Sequence, residues 1–319
     1  MRVRPPDCYS ATIALFLSVA HVLLMQVDGR RMSRRDVFST KEFFLDMADS
    51  SFDDQYKGCS DLMEAEIPQL FKIEYSTNKE FADAWDTAAF KWEEKKKGCL
   101  VIPKDFKDEY AIALLAYTIN GPLHKVFNDA VRDAGLSLQY YLRNFNFKVL
   151  HYYLTKALQL LDVIETPACY RVYRGIRGIR FKFDPRKTVR FGQFTSSSTK
   201  YESALMFGED TFFNINTCYG VNIKNYSFFP GEEEVLIPPY EKFKVTNFIK
   251  ERDRNYITLN SVEKSSVYNC ELVKERKCKL KWCPFSSATS TQMKINSLEI
   301  MLVSVLVLLT QPLGDVFYS

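Results

Sequence analysis

The sequence predicts an α+β fold, with an N-terminal helical half over about residues 61–161 and a mainly antiparallel β half over about residues 170–275. Two observations carry this reading. Apolar residues recur at helical spacing through the first half. From Tyr170 onward, short runs rich in Tyr, Phe, Val, Ile and Thr alternate with Gly, Pro, Asn and Asp. A third observation limits the folded part, because two of the apolar runs lie at the extreme ends of the 319 residues.

The helical elements follow from their stripes. Phe81, Trp85, Ala88 and Trp92 share one face, and Asn78 stands where a cap belongs. Leu123, Val126, Phe127, Ala130, Val131 and Ala134 make a second face, with Gly135 just beyond as a stop. Phe147, Leu150, Leu154, Ala157, Leu158 and Leu161 make a third. Such stripes are core faces. The strands expected after them cover 170–174, 188–194, 211–215, 233–237, 243–248, 256–260 and 267–273. No internal repeat is visible, so helices and strands form one α+β domain or two lobes.

The two ends read as addresses. Arg2 and Arg4 precede an apolar run over 11–25, and Val27 and Gly29 supply small residues for cleavage, the layout of a secretory signal over 1–29. A membrane anchor is the other reading, but the run falls short of the roughly 20 residues of a span. Near the C-terminus, Ser286, Ser287, Ala288 and Ser290 precede a polar spacer and a short apolar stretch over 300–309. That is the pattern of a GPI-attachment signal over 286–319, with a stop-transfer helix as the alternative. The part that folds is therefore 30–285. Its cysteines fit an oxidising compartment: Cys8 leaves with the signal and seven remain, without CxxC spacing. Asn225-Tyr226-Ser227 is a glycosylation triplet. The formal charge of +4 and the lack of a long basic block give no reason to expect nucleic acid.

The search for chemistry excludes more than it finds. Neither a P-loop nor GxGxxG is present, no G-x-S-x-G supports a Ser–His triad, and no metal spacing appears. His124 and His151 sit among apolar residues on predicted helices and read as structural. What remains is carboxylate chemistry. Glu232, Glu233 and Glu234 run directly into the apolar strand Val235-Leu236-Ile237. Strand alternation would put Glu232 and Glu234 on one face, about 7 Å apart at their α-carbons. A solvated acidic turn is the plainer reading of the same residues. Arg174 stands beside Gly175 on a predicted strand, and Phe194-Thr195-Ser196-Ser197-Ser198 ends another in hydroxyls.

Together and in this order, Tyr173-Arg174-Gly175, Phe194-Thr195-Ser196-Ser197-Ser198 and Glu232-Glu233-Glu234 resemble the arginine–serine–Glu-x-Glu signature of ADP-ribosyltransferases. With the signal and the tail they look like the GPI-anchored vertebrate ecto-enzymes of that family, and the likeness spans nearly all of the mature chain. Within the family, residues 51–56, 150–155 and 235–241 look most like a member that carries blood-group antigens. The resemblance implies an NAD-binding core, NAD as substrate, no metal, and transfer of ADP-ribose to arginine side chains of extracellular or cell-surface proteins. It implies that Glu234 is the catalytic carboxylate. Glu232 would hold the acceptor guanidinium and take its proton. Arg174 would clamp the pyrophosphate, Gly175 would let the backbone approach the nicotinamide amide, and Ser196 would position the ribose and Glu234. Ser198 would support the loop. It also implies Cys59–Cys270 and Cys169–Cys218 bridges, outside which Cys99, Cys278 and Cys283 fall. The rival expectations are a catalytically weak cell-surface antigen with the same fold and an NAD glycohydrolase.

Overall fold

The computed structural model describes residues 40–98, 100, 102–162 and 169–278. The signal, the attachment tail, Cys99 and Cys283 lie outside the described residues. A short strand β1 (Lys41–Phe44) precedes six helices: α1 (Ser60–Thr77), α2 (Lys79–Lys96), α3 (Asp108–Thr118), α4 (Leu123–Ala134), α5 (Leu138–Asn144) and α6 (Lys148–Asp162). The predicted stripes of α2 and α6 are buried, with Phe81, Trp85, Ala88 and Trp92 facing inward on α2. On α4, Leu123, Phe127, Val131 and Ala134 are buried, but Val126 is exposed and Asn128 is buried with the stripe instead. Asn78 caps α2, its Oδ1 accepting from Phe81 N at 3.2 Å. Helix α6 takes its cap from another helix. The Glu74 carboxylate of α1 accepts from Lys148 N at 2.8 Å and Val149 N at 3.1 Å, satisfying amides that α6 itself cannot. Helix α3 has no stripe, because Tyr110, Ala111 and Ala113 through Tyr117 are buried nearly all round. It is the centre of the helical layer, packed against α2 and α6.

The β half contains β2 (Tyr170–Ile176), β3 (Ile179–Lys182), β4 (Thr188–Arg190), β5 (Thr195–Ser198), β6 (Thr211–Thr217), β7 (Val221–Asn222), β8 (Glu234–Ile237), β9 (Glu241–Glu251) and β10 (Arg254–Lys264). Two short helices, α7 (Tyr201–Leu205) and α8 (Glu271–Lys277), interrupt and close it. Eight strands form one sheet in the order β4-β9-β10-β6-β2-β5-β8-β7. All its neighbours are antiparallel except β6 and β10. Strands β1 and β3 pair separately, in parallel. The sheet separates two cores. Leu236 packs into the helical core with Phe194, Val221 and Ile223. Val235 and Ile237 alternate to the other face, with Val172, Phe213 and Ile257.

Two expected strands are corrected. The expected strand 188–194 stops at Arg190, and Gly192 turns the chain at φ +64° before β5 begins. The expected strand 267–273 is a loop leading into α8. Its amides are taken by buried carboxylates instead of a ladder. Asp53 accepts from Val267 N and Tyr268 N at 2.9 Å, and Asp54 Oδ2 accepts from Glu271 N at 3.1 Å. Asp53 also pairs with the fully buried Arg190, whose Nε donates to Met47 O at 2.8 Å. Both expected disulfides form, Cys59–Cys270 and Cys169–Cys218. The first closes 211 residues and ties the start of the helical layer to the last helix.

Candidate active site

The sheet order gathers what the sequence scatters. Strands β2, β5 and β8 are neighbours, with Tyr173 opposite Ser198 and Ser198 opposite Glu234. Arg174, Gly175, Ser196, Glu232 and Glu234 consequently line one cavity of about 600 Å³, a volume suited to a nucleotide-sized ligand.

Arg174 Nη1 donates to Ser196 O at 2.6 Å, which fixes the guanidinium across the β2–β5 seam. Burial lowers its pKa, and Tyr117 and Glu234 oppose that shift, so the group keeps its charge at neutral pH. Gly175 has a reason internal to the fold. A Cβ there would meet the carbonyl oxygens of Ala204 and Gly208 at 2.3 Å. The missing side chain therefore admits the α7 segment, and the space next to the Gly175 Cα is already filled by protein.

Glu234 is buried at the start of β8. Its neighbour across the turn, Ser227, donates Oγ to Glu234 Oε2 at 3.2 Å. Burial pushes the Glu234 carboxyl up to about 6, and Glu232 adds to that. Hydrogen bonds from Ser196 and Ser227 and the charge of Arg174 pull the other way. Glu232 is half-buried, and desolvation raises its carboxyl as well.

Strand alternation is not what puts Glu232 and Glu234 on one side. Glu232 ends a 3-10 turn, Pro230–Glu232, and Glu233 takes a left-handed conformation at φ +48°. The kink swings Glu233 out of the cavity lining. Its carboxylate is held by Thr199 Oγ1 and Lys224 Nζ, both at 3.1 Å, and by Lys200 Nζ at 3.4 Å. Beneath the turn, Ser198 Oγ donates to Glu232 O and accepts from Lys200 N at 2.9 Å.

Three polar residues of the site escape sequence reasoning. Tyr117, from α3, donates its hydroxyl to Phe194 O at 2.8 Å and accepts from Asn128 Nδ2 at 3.0 Å. Asn128, from α4, leaves its buried Oδ1 without a protein partner while lining the cavity. A buried acceptor in that state fits a ligand donor. Ser227 is the third. The two histidines divide. His151 is a core residue, its Nδ1 2.8 Å from Tyr56 OH and its Nε2 3.2 Å from Phe52 O, with burial pushing its pKa down to about 3. His124, expected to be structural, lies on the cavity wall. Among the described residues, no His, Cys, Asp and Glu side chains gather as a metal site.

Residues 45–267 match the family described as NAD:arginine ADP-ribosyltransferase. The chain is 50% identical over 251 residues to the erythroblast NAD(P)(+)–arginine ADP-ribosyltransferase of Gallus gallus, covering 79% of this chain and 83% of that one. It is 44% identical over 314 residues to the GPI-linked NAD(P)(+)–arginine ADP-ribosyltransferase 1 of Homo sapiens, covering 94% and 96%. The crystal structure of the eucaryotic mono-ADP-ribosyltransferase ART2.2 is similar with a TM-score of 0.63 at 40% identity, covering 72% of this chain and 98% of that one. Further structures of ART2.2 variants hold NADH or NAD. These relatives carry enzyme names, and none of the three bears on the finer likeness to a blood-group carrier. The chain belongs to the NAD:arginine ADP-ribosyltransferase family.

Proposed function

We propose that the protein transfers ADP-ribose from NAD to the guanidinium of protein arginines and releases nicotinamide, acting at the outer face of the cell membrane under a GPI anchor. The observation that carries this is the convergence of Arg174, Ser196, Glu232 and Glu234 on one cavity. NAD is the substrate. Arg174 is the fixed cation for its pyrophosphate, a task that suits a rigid planar fork. The buried acceptor Asn128 Oδ1 offers a further polar contact.

The bond from the ribose to the nicotinamide nitrogen breaks, and nicotinamide leaves with the bonding pair. The reacting carbon gains oxocarbenium character, as in glycoside cleavage. Glu234, ionised and buried, opposes that charge where water screens it least. Ser196 and Ser227 hold the carboxylate in place. An acceptor guanidinium nitrogen then attacks the same carbon. Glu232, at the more open edge, pairs with the guanidinium and takes its proton. Its raised pKa makes it a better base than an exposed glutamate.

The names of the relatives, GPI-linked in human and ecto- in cattle, support the surface location. So do the apolar runs at the two ends of the sequence. The test of the activity is transfer of label from NAD to agmatine, a small guanidinium, by the purified folded protein. The reading fails if neither labelled agmatine nor free nicotinamide appears. Phosphatidylinositol-specific phospholipase should release the protein from cells, and retention on the cell would overturn the anchor.

A further inference from the structure

We propose that Asn225 carries an N-linked glycan, and that this glycan stands on the acceptor side of the cavity and restricts which arginines reach Glu232. Asn225-Tyr226-Ser227 is the only Asn-X-Ser/Thr triplet in the 319 residues. Asn225 is exposed on a 3-10 turn, Lys224–Tyr226. The rest of the turn is pinned. The ring of the buried Tyr226 packs on Trp92 and Phe106, and Lys95 Nζ donates to the Asn225 carbonyl at 3.3 Å. Ser227 is buried in the folded protein. That does not oppose modification, because the triplet is read on the nascent chain before the fold closes over it.

The turn is coupled to the site on both sides of Asn225. Lys224 holds Glu233 at 3.1 Å, and Ser227 Oγ donates to Glu234 at 3.2 Å. The turn packs directly against the turn Pro230–Glu232, which bears Glu232. Phe229, 42% exposed, completes this rim of the cavity. A glycan is bulky and heavily solvated. Planted next to this rim, it occupies the space across which a protein acceptor must bring its own surface. A free guanidinium crosses the same space alone. This second half of the inference rests on the transferase reading; occupancy of Asn225 does not.

Ser227 serves twice, as the third residue of the triplet and as the partner of Glu234. The clean variant is therefore Asn225→Gln, which leaves that hydroxyl in place. The full chain is expressed in a secreting eukaryotic cell line, as parent and as N225Q. Part of the parent is also treated in its folded state with a glycan-removing amidase. A mass shift on treatment of the parent, absent from N225Q, is the expected sign of occupancy; no shift overturns the site. The rates of labelling of agmatine and of an arginine-rich histone are then compared. Loss of the glycan should raise histone labelling several-fold and leave agmatine labelling unchanged, in N225Q and in the treated parent alike. Equal changes on the two acceptors, or none, overturn the restriction. Absence of labelling in every arm overturns the transferase reading and the restriction with it, while the mass shift still decides the site.

Discussion

At the scale of single residues, the proposed function turns on a carboxylate kept where charge is costly. The Glu234 carboxyl is pushed from an ordinary 4.5 up to about 6 by burial. In the proposed mechanism the ionised form is the one that stabilises the developing cation, so transfer should fall as pH drops through about 6. A pH–rate profile of nicotinamide release measures this. The same shift costs stability. Between pH 4.5 and about 6 the folded state binds more protons at Glu234 than the unfolded state, so stability declines as pH rises across that window. By pH 7 the loss is complete and on the order of 2 kcal/mol. Glu234→Gln should therefore gain stability of that order at pH 7 by urea denaturation, and the gain should vanish below pH 4.5. It should also lose roughly 100-fold or more in nicotinamide release. The acids were legible in the sequence because charge running into an apolar strand breaks the pattern of a core strand. Tyr117 and Asn128 were not, because they sit among apolar residues on helices that otherwise read as core.

At the scale of elements, the decisive feature is the kink before β8. Glutamate at φ +48° is strained, by about 1–2 kcal/mol relative to an ordinary backbone conformation. Its ties to Thr199, Lys200 and Lys224 hold the turn in that shape. Glu233→Ala should keep the fold and loosen the placement of Glu232. The expected result is a several-fold higher KM for agmatine with the KM for NAD unchanged, in steady-state assays varying each substrate. The pairing of Glu232 with Glu234 was foreseen, but from a pleat that is not there. A left-handed glutamate has no sequence signature, unlike glycine, asparagine or aspartate, which favour that conformation. Helix α3 was hidden for the opposite reason, since burial on every side erases periodicity. The misread strand at 267–273 has the right composition, and only the distant Asp53 and Asp54 divert its amides.

At the scale of the whole molecule, the sheet order brings residues 174, 196 and 234 side by side, and the helical layer closes the cavity over them. That order rests on long-range ties that composition does not reveal. The buried Asp53–Arg190 pair joins the segment before α1 to the end of β4. Asp53→Ala would leave Arg190 buried and unpaired and free the amides of Val267 and Tyr268. The expected loss is about 3–5 kcal/mol in chemical denaturation. Opening Cys59–Cys270 in a double Ser variant should cost about 2–5 kcal/mol. Helices before strands and the three motif segments were legible in the sequence, whereas the disulfide pairs followed only from the family resemblance. The strand order was not, because adjacency in a sheet depends on contacts far apart in the chain.

The division of labour between Glu232 and Glu234 is the central claim. It is tested most directly by following nicotinamide release and labelling of agmatine together, in the parent, Glu232→Gln and Glu234→Gln. The parent should do both, Glu232→Gln should release nicotinamide with little transfer, and Glu234→Gln should do neither. Transfer by Glu232→Gln at the parent rate, or nicotinamide release by Glu234→Gln at the parent rate, would contradict it.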